Sequence, residues 1–182
     1  MQIKELFLQV FAILESGQTA EFMLILNGET FRYVVTLGES NLCTVHGGNS
    51  RLIILDRELL HESEGAKLFC LAHEVGHTFN IDTKFNRWLL ANSNKHPKLT
   101  VLLRDFYTSY INSLRLSFAK QGKVLNKEIE ADRYAFELFP ESYTEAFNYM
   151  ERFVNRINWR DERQKNLSLK ELKNRIIILK EA

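Results

Sequence analysis

The sequence predicts an α+β fold, with a small sheet first and helices after it. Three observations lead there. Residues 21–55 hold short runs rich in β-branched and aromatic residues, broken by Asn27-Gly28 and by His46-Gly47-Gly48-Asn49. From Ser63 onward the apolar residues recur at helical spacing. Thirteen phenylalanines stand against only two prolines and eight glycines, which suits a compact, mostly helical chain.

In chain order, residues 3–15 read as an amphipathic helix with Leu6, Val10, Ile13 and Leu14 on its apolar side, ended by Gly17. Phe22–Leu26, then Asn27-Gly28, then Phe31–Leu37 is the pattern of a tight β-hairpin. Leu42–Val45 and Leu52–Leu55 add two strands, giving a three- or four-stranded, mainly antiparallel sheet. Helices follow over 64–80, 98–120, 126–139, 142–159 and 168–180, with Pro140 stopping the third. On the long helix 98–120, Leu99, Leu102, Leu103, Phe106, Tyr110 and Leu114 form the apolar side.

With 182 residues and no linker or repeat, the chain reads as one domain. Its parts are an N-terminal helix and sheet over 1–62, a middle group of helices over 63–140 and C-terminal helices over 141–182. Apolar residues make up 45% and charged residues 26%, which excludes a disordered or low-complexity class. Lys and Arg number 24 against 23 Asp and Glu, so net charge argues against a nucleic-acid partner. No uncharged apolar run approaches the roughly 18 residues of a membrane span. Lys4, Glu5, Gln9 and Glu15 interrupt the N-terminal stretch, which lacks a signal-peptide core. Cys43 and Cys70 are too few for a disulfide framework and fit a reducing compartment. The expectation is a cytoplasmic protein.

Residues 73–77 read His-Glu-Val-Gly-His, the H-E-x-x-H pattern. On a helix, positions i and i+4 lie one turn apart on one side, so His73 and His77 can offer two imidazoles to one ion. Glu74 lies roughly 80° round the helix from their midpoint, too far to be the natural third ligand but near enough to act as a base. A catalytic zinc takes three protein ligands and leaves a position open. Leu68, Leu71, Ala72, Val75 and Phe79 lie opposite the histidines, and Gly76 beside them suits close packing.

The third ligand comes from Asn126–Ala135. Glu128, Ala131, Asp132 and Ala135 share one side of that helix; Glu130, Arg133 and Glu137 share the other, as a solvated face would. Glu128 is therefore the expected ligand and Glu130 the surface residue. Asp132 is placed to accept the remaining ring N–H of a ligating histidine, His73 in particular.

With these residues the chain resembles a gluzincin, the H-E-x-x-H plus E-x-x-x-D class of zinc peptidases, and within it the ImmA/IrrE-type metallopeptidases. The likeness rests on Arg51–Leu60, Leu68–His77 and Glu128–Pro140, about a fifth of the chain. It implies a zincin-like fold, Zn²⁺ held by His73, His77 and Glu128, Glu74 as general base, and residence on a mobile element. It also implies a protein substrate, such as a helix-turn-helix repressor encoded nearby. The stretch between His77 and Glu128 holds 50 residues, longer than the family leads one to expect, and leaves room for a lid or partner site. The E-x-x-x-D block also resembles membrane-bound CAAX-processing peptidases, whose spans this chain lacks.

The mechanism expected is metal-assisted hydrolysis, with the edge strand near Arg51–Leu55 pairing with the substrate peptide. His46, beside Gly47-Gly48, is the first candidate for stabilising the oxyanion; His61, His96, Tyr107 and Tyr134 are others. Cys70 stands one turn before His73 and reads as a small buried residue. Arg152, Arg156, Arg160 and Arg163 form a stripe that reads first as a solvated face, with a dock for an acidic partner or nucleic acid as the alternative. The rival to an enzyme is a regulatory binding module that sequesters a transcription factor, or a toxin component restrained by one.

Overall fold

The Asn27-Gly28 dipeptide is the first feature the backbone obeys. Both residues have positive φ, 52° and 79°, and they join two strands whose last pair is Leu26 with Glu29. Such φ values are those of a two-residue hairpin turn, which matches the twist of the strands it joins. The structure, a computed structural model, describes residues 2–40, 42–47, 50–80, 92, 95–159 and 161–181, without the side chains of residues 45–47, 79, 80, 97, 104 and 108.

The order is α1 (Ile3–Glu15), β1 (Ala20–Leu26), β2 (Glu29–Gly38), β3 (Cys43–Gly47), β4 (Ser50–Asp56) and a 3₁₀ turn (Arg57–His61). Then come α2 (Glu64–Gly76), a second 3₁₀ turn (His77–Asn80), α3 (Pro97–Lys120) and α4 (Asn126–Leu138). A third 3₁₀ turn (Pro140–Ser142), α5 (Tyr143–Arg156) and α6 (Glu162–Lys180) complete the chain. The fold is α+β, a four-stranded sheet followed by a helical region.

The sheet runs β1-β2-β4-β3 and is mixed. Two pairings are antiparallel, but β2 and β4 are parallel, Tyr33 lying opposite Arg51 and Val35 opposite Ile53. This corrects the expected edge: β4, with Arg51–Leu55, is flanked on both sides, and β3 is the edge strand at that end. A four-residue run such as Leu42–Val45 says nothing about which neighbour it will join. Strand alternation puts Phe22, Tyr33, Val35, Ile53 and Leu55 against the helices, while Met23 and Ile25 face outward.

Two helix faces differ from the expected ones. On α1 the buried residues are Phe7, Val10, Phe11 and Leu14, whereas Ile13 is 37% exposed. The stripe is turned toward the larger aromatic side chains, which bury more area per residue. On α3 the expected apolar side splits. Leu103 and Leu114 are partly buried, but Leu99, Leu102, Phe106 and Tyr110 point outward, Phe106 being 72% exposed. Helix α6 starts six residues earlier than expected, at Glu162, where the Asp161 side chain caps the Arg163 N–H.

One core joins α1, the sheet, α2, α4, α5 and α6. Helix α2 is its axis. Every residue from Leu68 to Gly76 is buried, because α2 touches α1, β3 and β4 as well as α4 and α5. No helix among the described residues is long and apolar enough to cross a membrane.

Candidate metal centre

Helix α2 enters the core on a side-chain cap, Ser63 Oγ accepting the Ala66 N–H at 3.2 Å. It ends at the motif: His73 is in its last turn and His77 is its C-cap. The two rings stand 4.6 Å apart between centroids, at 82° to each other. His73 is 3% exposed and Glu74 2%.

Helix α4 brings the carboxylates. Its buried residues are Glu128, Ala131, Asp132 and Ala135, while Glu130, Arg133 and Glu137 are exposed. Glu128 Oε2 lies 3.6 Å from His73 Nε2 and 3.8 Å from His77 Nε2. On the far side of the same ring, His73 Nδ1 is 2.8 Å from Asp132 Oδ1. With Nδ1 engaged by Asp132, Nε2 is the ring nitrogen that faces Glu128. The approach of α4 depends on Gly76. A Cβ there would stand 2.9 Å from Ala131 Cα and 3.0 Å from its carbonyl oxygen.

The sequence reading missed a third contributor, Arg175 of α6. Its guanidinium makes a fork on Asp132, Nε to Oδ2 at 2.6 Å and Nη2 to Oδ1 at 2.5 Å. Its Nη1 lies 3.9 Å from Glu128 Oε2. The neighbouring Glu171 is buried and accepts from Arg115 Nε of α3 at 2.5 Å. The signal was present. Glu171, Leu172, Arg175 and Leu179 fall on one side of α6, so two charges share a stripe with two leucines, and all four are buried. Charged residues on a buried stripe have to be paired.

The electrostatics follow from these partners. Burial pushes the Glu128 carboxyl upward, but His73, Arg115 and Arg175 around it overcome that and hold it well below the usual range. Burial raises Asp132 too, and Arg175 and His73 bring it below its ordinary value. Burial lowers His73, yet its hydrogen bond to Asp132 and the adjacent charge lift it to about 9. Burial takes His77 down to about 3, against the opposing pull of the Glu128 carboxylate. Burial raises Glu74, against the charge of His73 and the hydrogen bond from Thr44.

Two carboxylates could serve with the histidines. The ligand-type atoms of His73, Glu74 and His77 all lie within 4.8 Å of one another. Ligands about 2.0–2.2 Å from zinc in a tetrahedron stand about 3.3–3.6 Å apart, and Glu128 meets that spacing closely to both imidazoles. Glu74 is engaged elsewhere: Thr44 Oγ1, on β3, lies 2.7 Å from its Oε2. The donor set of two imidazole nitrogens and one carboxylate oxygen, with a carboxylate behind His73, fits zinc.

The remaining candidates are scattered. His46 sits on β3 opposite Arg51, two positions beyond Thr44, but its side chain lies outside the described residues. His61 ends the first 3₁₀ turn and His96 precedes α3, both exposed. Tyr107 and Tyr134 are partly buried; Tyr134 stands beside Gly76, and burial raises its hydroxyl to about 12. Phe79's side chain also lies outside the description. Cys70 is fully buried and burial pushes its thiol up, as befits a packing residue.

Two arginines of the α5 stripe are engaged within the fold. Arg152 pairs with Glu62 at 2.6 Å, and Arg156 with buried Asp56, which also accepts from Tyr149. Arg163 is exposed, and Arg160 lies outside the described residues.

No protein-family model, curated protein or solved structure matches this chain.

Proposed function

We propose that the chain is a zinc-dependent metallopeptidase of ImmA/IrrE type with a zincin-like fold. The proposed substrate is one specific cytoplasmic protein, such as a helix-turn-helix repressor encoded beside it. One observation carries the reading: His73 Nε2, His77 Nε2 and Glu128 Oε2 converge, and Asp132 engages the other nitrogen of His73. A surface pair of histidines would have no need of a buried carboxylate at each ring nitrogen of His73.

His73, His77 and Glu128 would hold the ion. Bound zinc supplies Lewis acidity, which acidifies water and polarises a carbonyl. The chain's own residues do the rest. Asp132 fixes the tautomer and orientation of His73, and Arg175 fixes Asp132. Glu74 accepts a proton from the attacking water at its carboxylate and delivers it to the leaving amine. The substrate backbone pairs with β3, whose outer edge meets no other strand among the described residues.

A regulatory binding module, free or as a toxin component, is the second reading. It is favoured by the outward apolar side of α3, where Leu102 is 65% and Phe106 72% exposed. The deciding experiment incubates the repressor encoded by the neighbouring frame with wild type and with Glu74→Gln, with and without chelator. Cleavage that chelation abolishes and Glu74→Gln lowers by about 10²–10⁴-fold supports the peptidase. Stoichiometric binding without fragments by both proteins supports the module.

A further inference from the structure

Glu74 and Glu128 are the same residue type, both buried, both beside the two histidines, at 2% and 6% exposure. Residue chemistry alone does not decide which one ligates and which stays free. Their surroundings differ. Glu128 has imidazoles on Oε2, with Lys127 Nζ 3.7 Å from Oε1. Glu74 has Thr44, whose Oγ1 lies 2.7 Å from Oε2 and 2.9 Å from the Glu74 carbonyl oxygen. That carbonyl is among the last four of α2, which have no acceptor role inside the helix. One hydroxyl thus stands within hydrogen-bond distance of both the side chain and the backbone of a single residue.

We propose that Thr44 is a positioning residue that withholds the Glu74 carboxylate from the metal and so keeps it a base instead of a fourth ligand. The inference rests on the metal-centre reading above. A threonine hydroxyl carries one proton and donates to one acceptor at a time; the shorter contact, to Oε2, is the one that holds the Glu74 side chain toward β3. Thr44 is also part of the edge strand, opposite Ile53 of β4. The strand offered to a substrate backbone is therefore the strand that aims the base, and a peptide seated on β3 bears directly on Glu74. A plain structural clamp would need only the carbonyl contact; the shorter contact to Oε2 serves the carboxylate.

The test replaces zinc by Co²⁺ in the full chain and reads visible absorption and Co²⁺ affinity. Thr44→Val keeps the shape and removes the hydroxyl; Thr44→Ser keeps the hydroxyl. Wild type and Thr44→Ser are expected to share one spectrum. Thr44→Val should show a shifted, weaker band from an added carboxylate and bind Co²⁺ about tenfold tighter, within the usual scale of changes beside a metal site. Adding Glu74→Gln to Thr44→Val should restore the wild-type band. A clamp alone would lower thermal stability without a spectral change that Glu74→Gln reverses. If Thr44→Val does not fold, Thr44→Ala is read in the same way. A Thr44→Val spectrum equal to wild type, or a shift that survives Glu74→Gln, overturns the role of Thr44 while leaving the metal centre intact. Wild type that takes up no Co²⁺ overturns both.

Discussion

Replacing Gly76 by alanine sets two opposing effects against each other, and the structure decides between them. In an isolated helix the change is favourable by about 1 kcal/mol. Here the new Cβ would lie 2.9 Å from Ala131 Cα, 3.0 Å from its oxygen and 3.3 Å from Tyr134 Cβ. Ordinary carbon contacts are about 3.5–4.0 Å, so α4 has to retreat by about 0.6 Å or more. The obstacle is backbone, and no rotamer change relieves it. Overpacking of this kind costs about 1–3 kcal/mol, which cancels or exceeds the propensity gain. The larger effect is on the site. Glu128 sits one turn before Ala131 and moves with it, away from two nitrogens already 3.6 and 3.8 Å distant. Binding geometry tolerates about 0.5 Å, so metal affinity should fall by about tenfold or more. Urea unfolding gives the stability, and competition against a chromophoric chelator gives the affinity. A Gly76→Ala protein that is more stable than wild type and binds zinc equally well would refute the packing argument.

Four further outcomes follow from contacts elsewhere in the structure. Asp132→Asn keeps an acceptor for His73 and should weaken zinc binding by about 10–100-fold, measured by calorimetric titration, whereas unchanged affinity would remove its orienting role. Asp132→Ala should also lose about 3–5 kcal/mol of stability, because Arg175 is left charged and buried; equal stability in urea would contradict the ion pair. Arg156→Leu should cost about 1–3 kcal/mol by depriving buried Asp56 of a charged donor. Exposed Arg163→Leu should stay within about 0.5 kcal/mol, and calorimetric melting of the two variants gives the comparison.

How much of this was legible beforehand depended on the range of the forces involved. The hairpin at Asn27-Gly28, the stop at Pro140 and the choice of Glu128 over Glu130 as the inward residue are local facts, written in turn chemistry and helical periodicity. The parallel pairing of β2 with β4 was not, because period-two alternation is the same in either direction. The outward side of α3 was misread for a related reason: its leucines and aromatics surround the helix widely enough that spacing alone does not say which side packs. Arg175 lies 43 residues from Asp132, and their contact depends on how α6 returns across α4. Thr44 lies 30 residues from Glu74 on a short strand and carried no motif at all.

The central claim is a metal centre built from His73, His77 and Glu128. X-ray absorption on zinc-loaded protein, together with metal content per chain, tests it most directly. The account predicts one zinc per chain with two imidazoles and at least one carboxylate oxygen in its first coordination sphere. It predicts that Glu128→Gln loses the ion while Glu130→Gln keeps it. A wild-type chain that holds no zinc, or loss of the ion in Glu130→Gln with retention in Glu128→Gln, would contradict it.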